Sequence, residues 1–161
     1  MNNLIEKIKE KCSNKIVDIQ ICKNNIILLI KPEDIVMACR ILHDDEDLAY
    51  DYISCISGVD YLGKEPRFMM VYHIYSMKNK NRLTINVNVP ENYSVPSVSS
   101  IWTGANWFER EIFDMYGIKF SGHPDLKRIL MPDDWKGYPL RKDYPLEGYI
   151  PAKWTKQDRP W

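Results

Sequence analysis

The chain has 161 residues, 45% of them hydrophobic, and this length favours a single domain with one core. Its 22 basic residues balance its 22 acidic ones, so it offers no broad positive field to nucleic acid or to an anionic membrane surface. No window reaches the roughly 18 consecutive apolar residues of a membrane-spanning helix, and polar residues interrupt any signal-peptide pattern at the N-terminus. We therefore expect a soluble, cytosolic chain that binds no nucleic acid.

The first part of the chain predicts a helix followed by a hairpin. Residues 3–12 repeat apolar side chains at helical spacing. Residues 15–22 alternate apolar and polar side chains, and the apolar run at 26–30 predicts a second strand. The asparagine-rich stretch at 23–25 predicts the connecting turn, because asparagine tolerates a positive φ.

The middle of the chain predicts a helix and a second hairpin. Pro32, followed by two acidic residues, is typical of a helix start, and the acidic run at 44–47 predicts where that helix ends. Residues 48–56 fit either a helix or a strand, and we favour a short helix. Two stretches with a period of two residues, 67–75 and 82–89, predict the hairpin.

The last predicted helix covers residues 97–116, with a weak point at Gly104 and a C-terminal cap at Gly117. We therefore predict an α+β domain over residues 1–117, with a mostly antiparallel sheet of about four or more strands and helices packed on it. No long periodic element follows, and residues 118–161 contain six of the ten prolines and three of the five tryptophans. Because disordered segments are poor in aromatic residues, we expect an extended, irregular C-terminal interaction arm.

Residue patterns for catalysis, metal binding or nucleotide binding are weak. The cysteines, Cys12, Cys22, Cys39 and Cys55, lie ten to seventeen positions apart and form no C-x-x-C pair. We expect Cys12 and Cys39, which fall in helical patterns, to be small buried hydrophobes. The three histidines have no second ligand or nucleophile nearby, and the glycines form no phosphate-binding loop. We assign no catalytic, cofactor-binding or metal-binding residue.

The charged run E-R-E-I-F-D at residues 109–114 has more than one interpretation. Arg110 and Asp114 are one helical turn apart, so they could form a surface pair worth a few tenths of a kcal/mol. Alternatively, these charges hold the arm, which begins a few residues later and is rich in lysine and arginine. An acid–base role would require Glu109 or Glu111 to lie in a cleft with a raised pKa.

Residues 105–146 carry several distinctive motifs in a fixed order. E-R-E and an aspartate are followed by a glycine, by G-H-P-D-L-K-R-I-L, by a proline-acidic-acidic-tryptophan turn and by P-L-R-K-D-Y-P. This order resembles the signature of the 30 kDa subunit family, the C subunits of respiratory complex I, the NADH–quinone oxidoreductase. The matching residues to which we assign interface or structural roles are Glu109, Arg110, Glu111, Asp114, His123, Asp125, Lys127, Arg128, Trp135, Arg141, Lys142, Asp143 and Tyr144.

The resemblance implies a non-redox structural and assembly subunit in the peripheral arm of a membrane-bound, ion-pumping electron-transfer enzyme, where it supports the quinone-reducing module. No cofactor is implied in this chain, whereas partner subunits would hold iron–sulfur clusters and, in some enzymes, flavin or nickel–iron. The implied partners are a quinone-cavity or [NiFe]-type large subunit and an iron–sulfur small subunit. The implied location is the cytoplasmic side of the membrane, with membrane contact only through the complex.

Two alternatives stay open on the sequence alone. Related subunits occur in energy-converting membrane-bound [NiFe] hydrogenases, and this chain ends soon after the signature, so we expect it to be shorter than many complex I relatives. A freestanding soluble enzyme would instead use Glu109 or His123 and would turn over without partners.

Overall fold

The computed structural model describes residues 2–12, 14–23 and 25–145. Its helices are α1 (Asn2–Cys12), α2 (Ile35–Asp44) and α3 (Ala105–Tyr116), with a 3-10 turn at Pro32–Asp34. Its strands are β1 (Ile16–Cys22), β2 (Asn25–Ile30), β3 (Tyr52–Asp60), β4 (Phe68–Ser76), β5 (Asn81–Val89), β6 (Ser94–Pro96) and β7 (Lys119–Ser121).

Five strands form one sheet in the order β1-β2-β5-β4-β3. All neighbouring pairs are antiparallel except β2 and β5, which run parallel. A separate short pair joins β6 and β7 in parallel. The predicted α+β fold with a mostly antiparallel sheet is therefore confirmed, and so are the two hairpins and the first helix.

The hydrophobic core lies between the sheet and the helices. Tyr72 of β4 is fully buried, and its neighbours include Cys39 of α2 and Glu109 of α3. Ile8 of α1 is fully buried in the same cluster, and the relative exposure of Cys12 is only 1%. Because each buried aliphatic or aromatic side chain contributes roughly 1.5–3 kcal/mol, this layer supplies most of the stability of the domain. None of the helices in the described residues is long and apolar enough to cross a bilayer.

Residues 48–56 do not form the short helix that we predicted. Residues 52–56 belong to β3, in which a bulge lies between Ile53 and Cys55. The bulge shifts the alternation of side chains, so that Ile53 and Ile56 are both buried although they are three positions apart. The predicted helix depended on the helical spacing of Leu48, Tyr52 and Cys55, but Leu48 is fully buried whereas Tyr52 is 52% exposed, so they share no buried stripe.

The helix that we predicted over residues 97–116 begins only at Ala105. The chain before it is extended instead: residues 94–96 form β6, and Ser97 donates its backbone N–H to the carbonyl of Ser121 at 2.9 Å, which continues the pairing with β7. The predicted cap at the other end is confirmed. Gly117 has φ of 74° and donates its backbone N–H to the carbonyl of Phe113 at 2.9 Å.

Two predicted loops also differ in detail from the structure. In the first hairpin Lys23 has a positive φ of 55° and Asn25 begins β2, whereas position 24, where the asparagine prediction also falls, lies outside the described residues. In the predicted arm, residues 119–121 form a strand, and the stretch after residue 145 lies outside the described residues.

Candidate functional site

The C-terminal segment, which we define as residues 122–145, lies against α3 and against the ends of β3 and β4. It has no helix or strand of its own, because its prolines remove backbone donors and fix φ near −65°. Its backbone groups therefore need partners from elsewhere in the protein. Two clusters of charged side chains supply many of them, and a third cluster lies beside the start of the segment.

Asp114 of α3 is the centre of the first cluster. Its carboxylate is fully buried, and Oδ2 accepts hydrogen bonds from the backbone N–H groups of Ile129, Leu130 and Met131 at 3.0, 2.8 and 2.8 Å. Oδ1 accepts a hydrogen bond from Nη1 of Arg128 at 2.7 Å. Burial by itself would raise the pKa of Asp114, but these donors outweigh it and the pKa is lowered.

Two arginines complete the first cluster. Arg128 also donates from Nη2 to the carbonyls of Trp135 and Gly137, at 3.2 and 3.1 Å. Arg110 donates to the carbonyls of Lys127 and Arg128 at 3.2 and 3.0 Å. Each guanidinium therefore collects carbonyls that no helix or strand satisfies, a task that suits its several fixed donors.

The second cluster joins the segment to the sheet. Arg67 forms a two-pronged pair with Asp60, with both nitrogen–oxygen distances at 3.0 Å. Its guanidinium also binds Asp143 at 2.7 Å and Glu91 at 2.9 Å. Hydrogen bonding to Arg67 is the main reason that the pKa values of Asp60 and Asp143 are lowered.

The segment adds further contacts around the second cluster. Lys142 donates its backbone N–H to Asp60 at 2.8 Å. Arg141 donates from Nε to the carbonyl of Tyr116 at 2.6 Å and from Nη1 to Glu91 at 3.0 Å. Its guanidinium also lies 4.8 Å from the ring centre of Tyr138, within the range of a cation–π contact.

The third cluster surrounds Glu109, which is fully buried. Its carboxylate accepts hydrogen bonds from Ser97 Oγ at 2.5 Å and from the backbone N–H of Val98 at 2.8 Å. Burial raises the pKa of Glu109 to about 7, although both donors lower it. The carboxyl group is therefore partly protonated near neutral pH.

His123 of the segment lies close to Glu109. Its Nδ1 accepts the backbone N–H of Asp125 at 3.1 Å, so Nε2 carries the proton and faces the carbonyl of Asn106 at 3.2 Å. Nε2 lies 3.9 Å from Oε2 of Glu109, which is too long for a hydrogen bond. Both side chains are fully enclosed, so neither is open to a dissolved substrate.

The interpretation of Arg110 and Asp114 as an exposed surface pair is wrong. Their relative exposures are 9% and 0%, and both bind backbone groups of the segment. Periodicity alone could not reveal this, because a helix presents the same i,i+4 spacing whether a face is solvated or covered.

The remaining predicted residues have smaller roles in these contacts. Glu111 is exposed, and Asp125 and Lys127 form an exposed pair with each other at 2.8 Å. Tyr144 donates its hydroxyl to the carbonyl of Lys136 at 3.3 Å. Trp135 is half-buried, and its Nε1 is shielded from solvent without a hydrogen-bond acceptor among the described residues.

Sequence reasoning missed Arg67 and Glu91, and it gave Asp60 no role. One signal in the sequence could have pointed to the ion pair between Asp60 and Arg67. Asp60 falls on the same side of β3 as Ile56, so a charged side chain occupies the buried row and requires a partner. Glu91 follows β5 in a loop and carries no such pattern.

The cysteines of the described residues are spread over the fold. Cys22 lies on the edge strand β1 and Cys55 on the opposite edge strand β3. Burial raises the pKa of the Cys12 thiol to about 11 and raises that of Cys39 further, so both remain protonated. Among residues 2–145 as described, no group of three or more histidine, cysteine or acidic side chains could hold a metal ion.

Fold and site together define a class of protein, an α+β domain whose buried charges hold its own C-terminal segment. The chain matches the family model described as "Respiratory-chain NADH dehydrogenase, 30 Kd subunit" over residues 28–150. The chain belongs to this family, as the motifs of residues 105–146 predict.

Curated relatives agree along nearly the whole chain. The C subunit of the NADH-quinone oxidoreductase of Geobacter metallireducens is 48% identical over 149 residues, which cover 91% of each chain. The subunit of the same name from Roseiflexus sp. strain RS-1 is 45% identical over 157 residues, covering 97% of this chain and 90% of the relative. In both cases the aligned residues cover nine-tenths or more of this chain and of the relative.

A solved structure shares the fold. It comes from the membrane-bound sulfane sulfur reductase, an archaeal respiratory membrane complex. The TM-score is 0.78 with 21% sequence identity, over 90% of this chain and 85% of that chain. At this identity the likeness establishes the fold alone.

Proposed function

We propose that this protein is a structural and assembly subunit of a complex I-type, membrane-associated NADH–quinone oxidoreductase. Family membership and the 45–48% identity to named C subunits of this enzyme support the assignment. In this proposal the chain carries no redox centre of its own. It presents its C-terminal segment to neighbouring subunits in a defined shape.

One observation carries the proposal more than any other. The buried carboxylate of Asp114 directs all of its hydrogen bonds into the segment, to three successive backbone N–H groups and to Arg128. A carboxylate used in this way is committed to shaping the chain and is not available for proton transfer. The segment in turn leaves Leu130 and Leu140 exposed by 62% and 52%, as expected of a surface that receives a partner.

The non-redox role rests on where the potential ligands lie. Cluster ligation by this chain would require thiolates within a few ångströms of one another. Cys22 and Cys55 occupy opposite edges of the sheet, and burial keeps the thiols of Cys12 and Cys39 protonated. We therefore assign iron–sulfur clusters, and flavin where present, to partner subunits.

The proposed partners are the large subunit that forms the quinone cavity and the iron–sulfur subunit beside it. The proposed location is the cytoplasmic side of the membrane, where contact with lipid is made only through the complex. The alternative, a scaffold subunit of a membrane-bound [NiFe] hydrogenase, would require the same fold. The relatives described above carry the NADH–quinone oxidoreductase name, which favours the first assignment.

A freestanding enzyme that uses Glu109 or His123 is disfavoured by their surroundings. Both side chains are enclosed, and the ring nitrogens of His123 already contact backbone groups. A substrate would have to displace the segment to reach them. Turnover by the purified chain alone would contradict the scaffold assignment.

The test is to tag the chain in its native host and to isolate it from detergent-solubilised membranes. We expect iron–sulfur subunits and NADH–quinone reductase activity to co-purify with it. Recovery with a nickel-containing subunit would instead favour the hydrogenase alternative. Recovery of the chain without any respiratory subunit would contradict both assignments.

A substitution at Asp114 tests whether the contacts of the segment contribute to assembly. Asp114→Asn should reduce the recovered complex severalfold, because an amide cannot accept all four hydrogen bonds of the carboxylate. The matched control is Asp44→Asn on α2, where the carboxylate is 64% exposed. Equal recovery of both variants would contradict the role of the segment in assembly.

A further inference from the structure

Glu109 and His123 lie where β7 passes into the C-terminal segment. β7 ends at Ser121, whose carbonyl accepts the backbone N–H of Ser97 at 2.9 Å. Ser97 in turn donates its hydroxyl to Oε2 of Glu109 at 2.5 Å. The carboxyl group of Glu109 therefore binds the chain that pairs with β7, and it also lies 3.9 Å from Nε2 of His123, the second residue of the segment.

The Nε2–H group of His123 has two acceptors nearby. It donates to the carbonyl of Asn106 at 3.2 Å, and Oε2 of Glu109 is the second acceptor at 3.9 Å. An ionised carboxylate accepts a shorter and stronger hydrogen bond than a carbonyl or a neutral carboxyl group does. The preferred acceptor of Nε2–H should therefore depend on the ionisation state of Glu109.

Glu109 changes its ionisation state near neutral pH. Burial raises its pKa to about 7, although the hydrogen bonds from Ser97 and Val98 lower it. From the sheet and from α2, the groups that face it are Tyr72 and Cys39. Burial raises the pKa of both, so they stay neutral and give the carboxylate no counter-charge. The ionised form of Glu109 is therefore short of a strong donor, which the ring of His123 can supply.

The surroundings of His123 allow the small movement that this requires. Gly122 before it is exposed, and none of the described atoms lies within 4 Å of a Cβ placed there. Asp125 also faces the ring, but it is exposed, and its pKa is lowered mainly by a hydrogen bond from Lys127. A shift of about 1 Å would bring Nε2 within the distance of a charge-assisted hydrogen bond to Glu109.

We propose that Glu109 and His123 form a proton-linked switch that sets the position of the start of the segment. When Glu109 is protonated, Nε2–H of His123 donates to the carbonyl of Asn106, as in this structure. When Glu109 releases its proton to solvent, the same N–H donates to the carboxylate instead, and residues 122–125 move toward α3. The ring stays neutral, so the only covalent bond that breaks is the O–H of the carboxyl group. The switch requires no partner subunit and goes beyond the proposed function.

The first test follows the histidine rings of the ¹⁵N-labelled full chain by NMR between about pH 5 and pH 9. The Nε2–H proton of His123 should move downfield with a midpoint near pH 7, because its hydrogen bond shortens, while Nδ1 stays unprotonated. Glu109→Gln should remove this step. His73, which is exposed on β4, is the matched control, and its titration should be the same in both proteins.

Two substitutions of His123 separate the roles of its ring nitrogens. Asparagine places an oxygen near the position of Nδ1 and keeps the contact with the N–H of Asp125, but it has no donor at the position of Nε2. Glutamine places a donor near the position of Nε2 instead. His123→Asn should raise the pKa of Glu109 by about one unit, a tenfold change in its ionisation equilibrium. His123→Gln should keep that pKa close to the wild-type value, and the ¹³C shift of the Glu109 carboxyl group measures both.

The outcomes decide the inference separately from the proposed function. Equal pKa values of Glu109 in the wild type and in His123→Asn would overturn the switch. So would an Nε2–H step that persists in Glu109→Gln together with protonation of Nδ1, because the ring itself would then titrate. If His123→Asn does not fold, the wild-type spectra still decide, since an Nε2–H resonance that stays constant while Glu109 ionises contradicts the switch. Co-purification tests the proposed function, and either result can fail while the other holds.

Discussion

The domain core and the C-terminal segment are held together by different kinds of contact. In the core, fully buried aliphatic and aromatic side chains from three helices and the sheet share one cluster. In the segment, Leu130 and Leu140 are exposed, whereas the backbone is held by Asp114, Arg110 and Asp60. The core is thus stabilised mainly by burial, and the segment mainly by directed hydrogen bonds.

The two regions should therefore respond differently to single substitutions. Apolar burial is spread over many atoms, so the loss of one methyl group costs about 1 kcal/mol. The conformation of the segment depends on a few carboxylate and guanidinium groups, and leaving one of their partners buried and unsatisfied costs more. Single polar substitutions on α3 should therefore release the segment while the sheet stays folded.

The largest expected effect is that of Asp114→Asn. The amide nitrogen would face either Arg128 or the N–H groups of residues 129–131, so we expect a loss of roughly 3–5 kcal/mol in the free energy that holds the segment. Amide hydrogen exchange checks this. Exchange at 129–131 should accelerate by at least a hundredfold, while Ile85 in the central strand β5 stays protected.

The comparison between the two regions would fail if Asp114→Asn accelerated exchange in β5 as much as in the segment. That outcome would mean that core and segment unfold as one unit. Asp44→Asn, at an exposed position of α2, should change neither region.

The next largest effect is a dependence of stability on pH that originates at Glu109. Its pKa is about 7 in the folded protein against 4.5 as the ordinary value, so folding takes up a proton between these pH values. The free energy of unfolding should therefore fall as the pH rises from about 4.5 to 7 and should level off above that. At about 1.4 kcal/mol per pKa unit, the decrease is about 3.5 kcal/mol at most.

Urea denaturation across this pH range measures the slope, and Glu109→Gln is the comparison variant. The amide does not titrate, so its slope between pH 5 and pH 7 should be smaller than that of the wild type. An unchanged slope would show that another group is responsible. Asp114 and Asp60 have lowered pKa values and act with the opposite sign, destabilising the protein only as the pH falls toward their ordinary value of 3.8 and below it.

A smaller effect is expected from Gly117→Ala at the junction between core and segment. Gly117 and Gly122 have nearly equal φ values of 74° and 76°, which strain any other residue by about 1–2 kcal/mol. A Cβ at Gly117 would also overlap the ring of Tyr138, whereas none of the atoms described lies within 4 Å of one at Gly122. Gly117→Ala should therefore cost about 2 kcal/mol more than Gly122→Ala.

Thermal or urea unfolding of both alanine variants measures this difference. Repeating the comparison in a Tyr138→Ala background should remove most of it, because the overlap disappears while the backbone strain remains. If the two glycine variants were equally stable with Tyr138 present, the close contact between the helix end and the segment would be contradicted.

The smallest expected effect concerns Arg141→Ala. Arg141 binds the carbonyl of Tyr116 and the carboxylate of Glu91, and its side chain is 19% exposed. Loss of these contacts should cost about 1–2 kcal/mol and weaken assembly. Arg40→Ala, at an exposed position of α2, is the control and should change stability by less than about 0.5 kcal/mol. Equal effects of the two substitutions would contradict the role of Arg141.

Much of the fold could be predicted from periodicity. The first helix and both hairpins follow from regular alternation or helical spacing, which local backbone geometry imposes on any amphipathic element. The predictions failed where tertiary contacts changed the local pattern. Residues 52–60 pair with β4 despite the helical spacing of Leu48, Tyr52 and Cys55, and Ser97 continues the pairing of β6 with β7 instead of starting the predicted helix.

The sequence by itself determined the class of fold, the family and the charged residues near the segment, because these depend on residue order and spacing. Only the tertiary structure decided which charges meet. Asp114 bonds to residues fifteen to seventeen positions away in the chain, and Asp60 to position 142. Such pairings are set by how α3 and the sheet pack, and packing brings distant backbone groups within hydrogen-bond distance without leaving a periodic signal in the sequence.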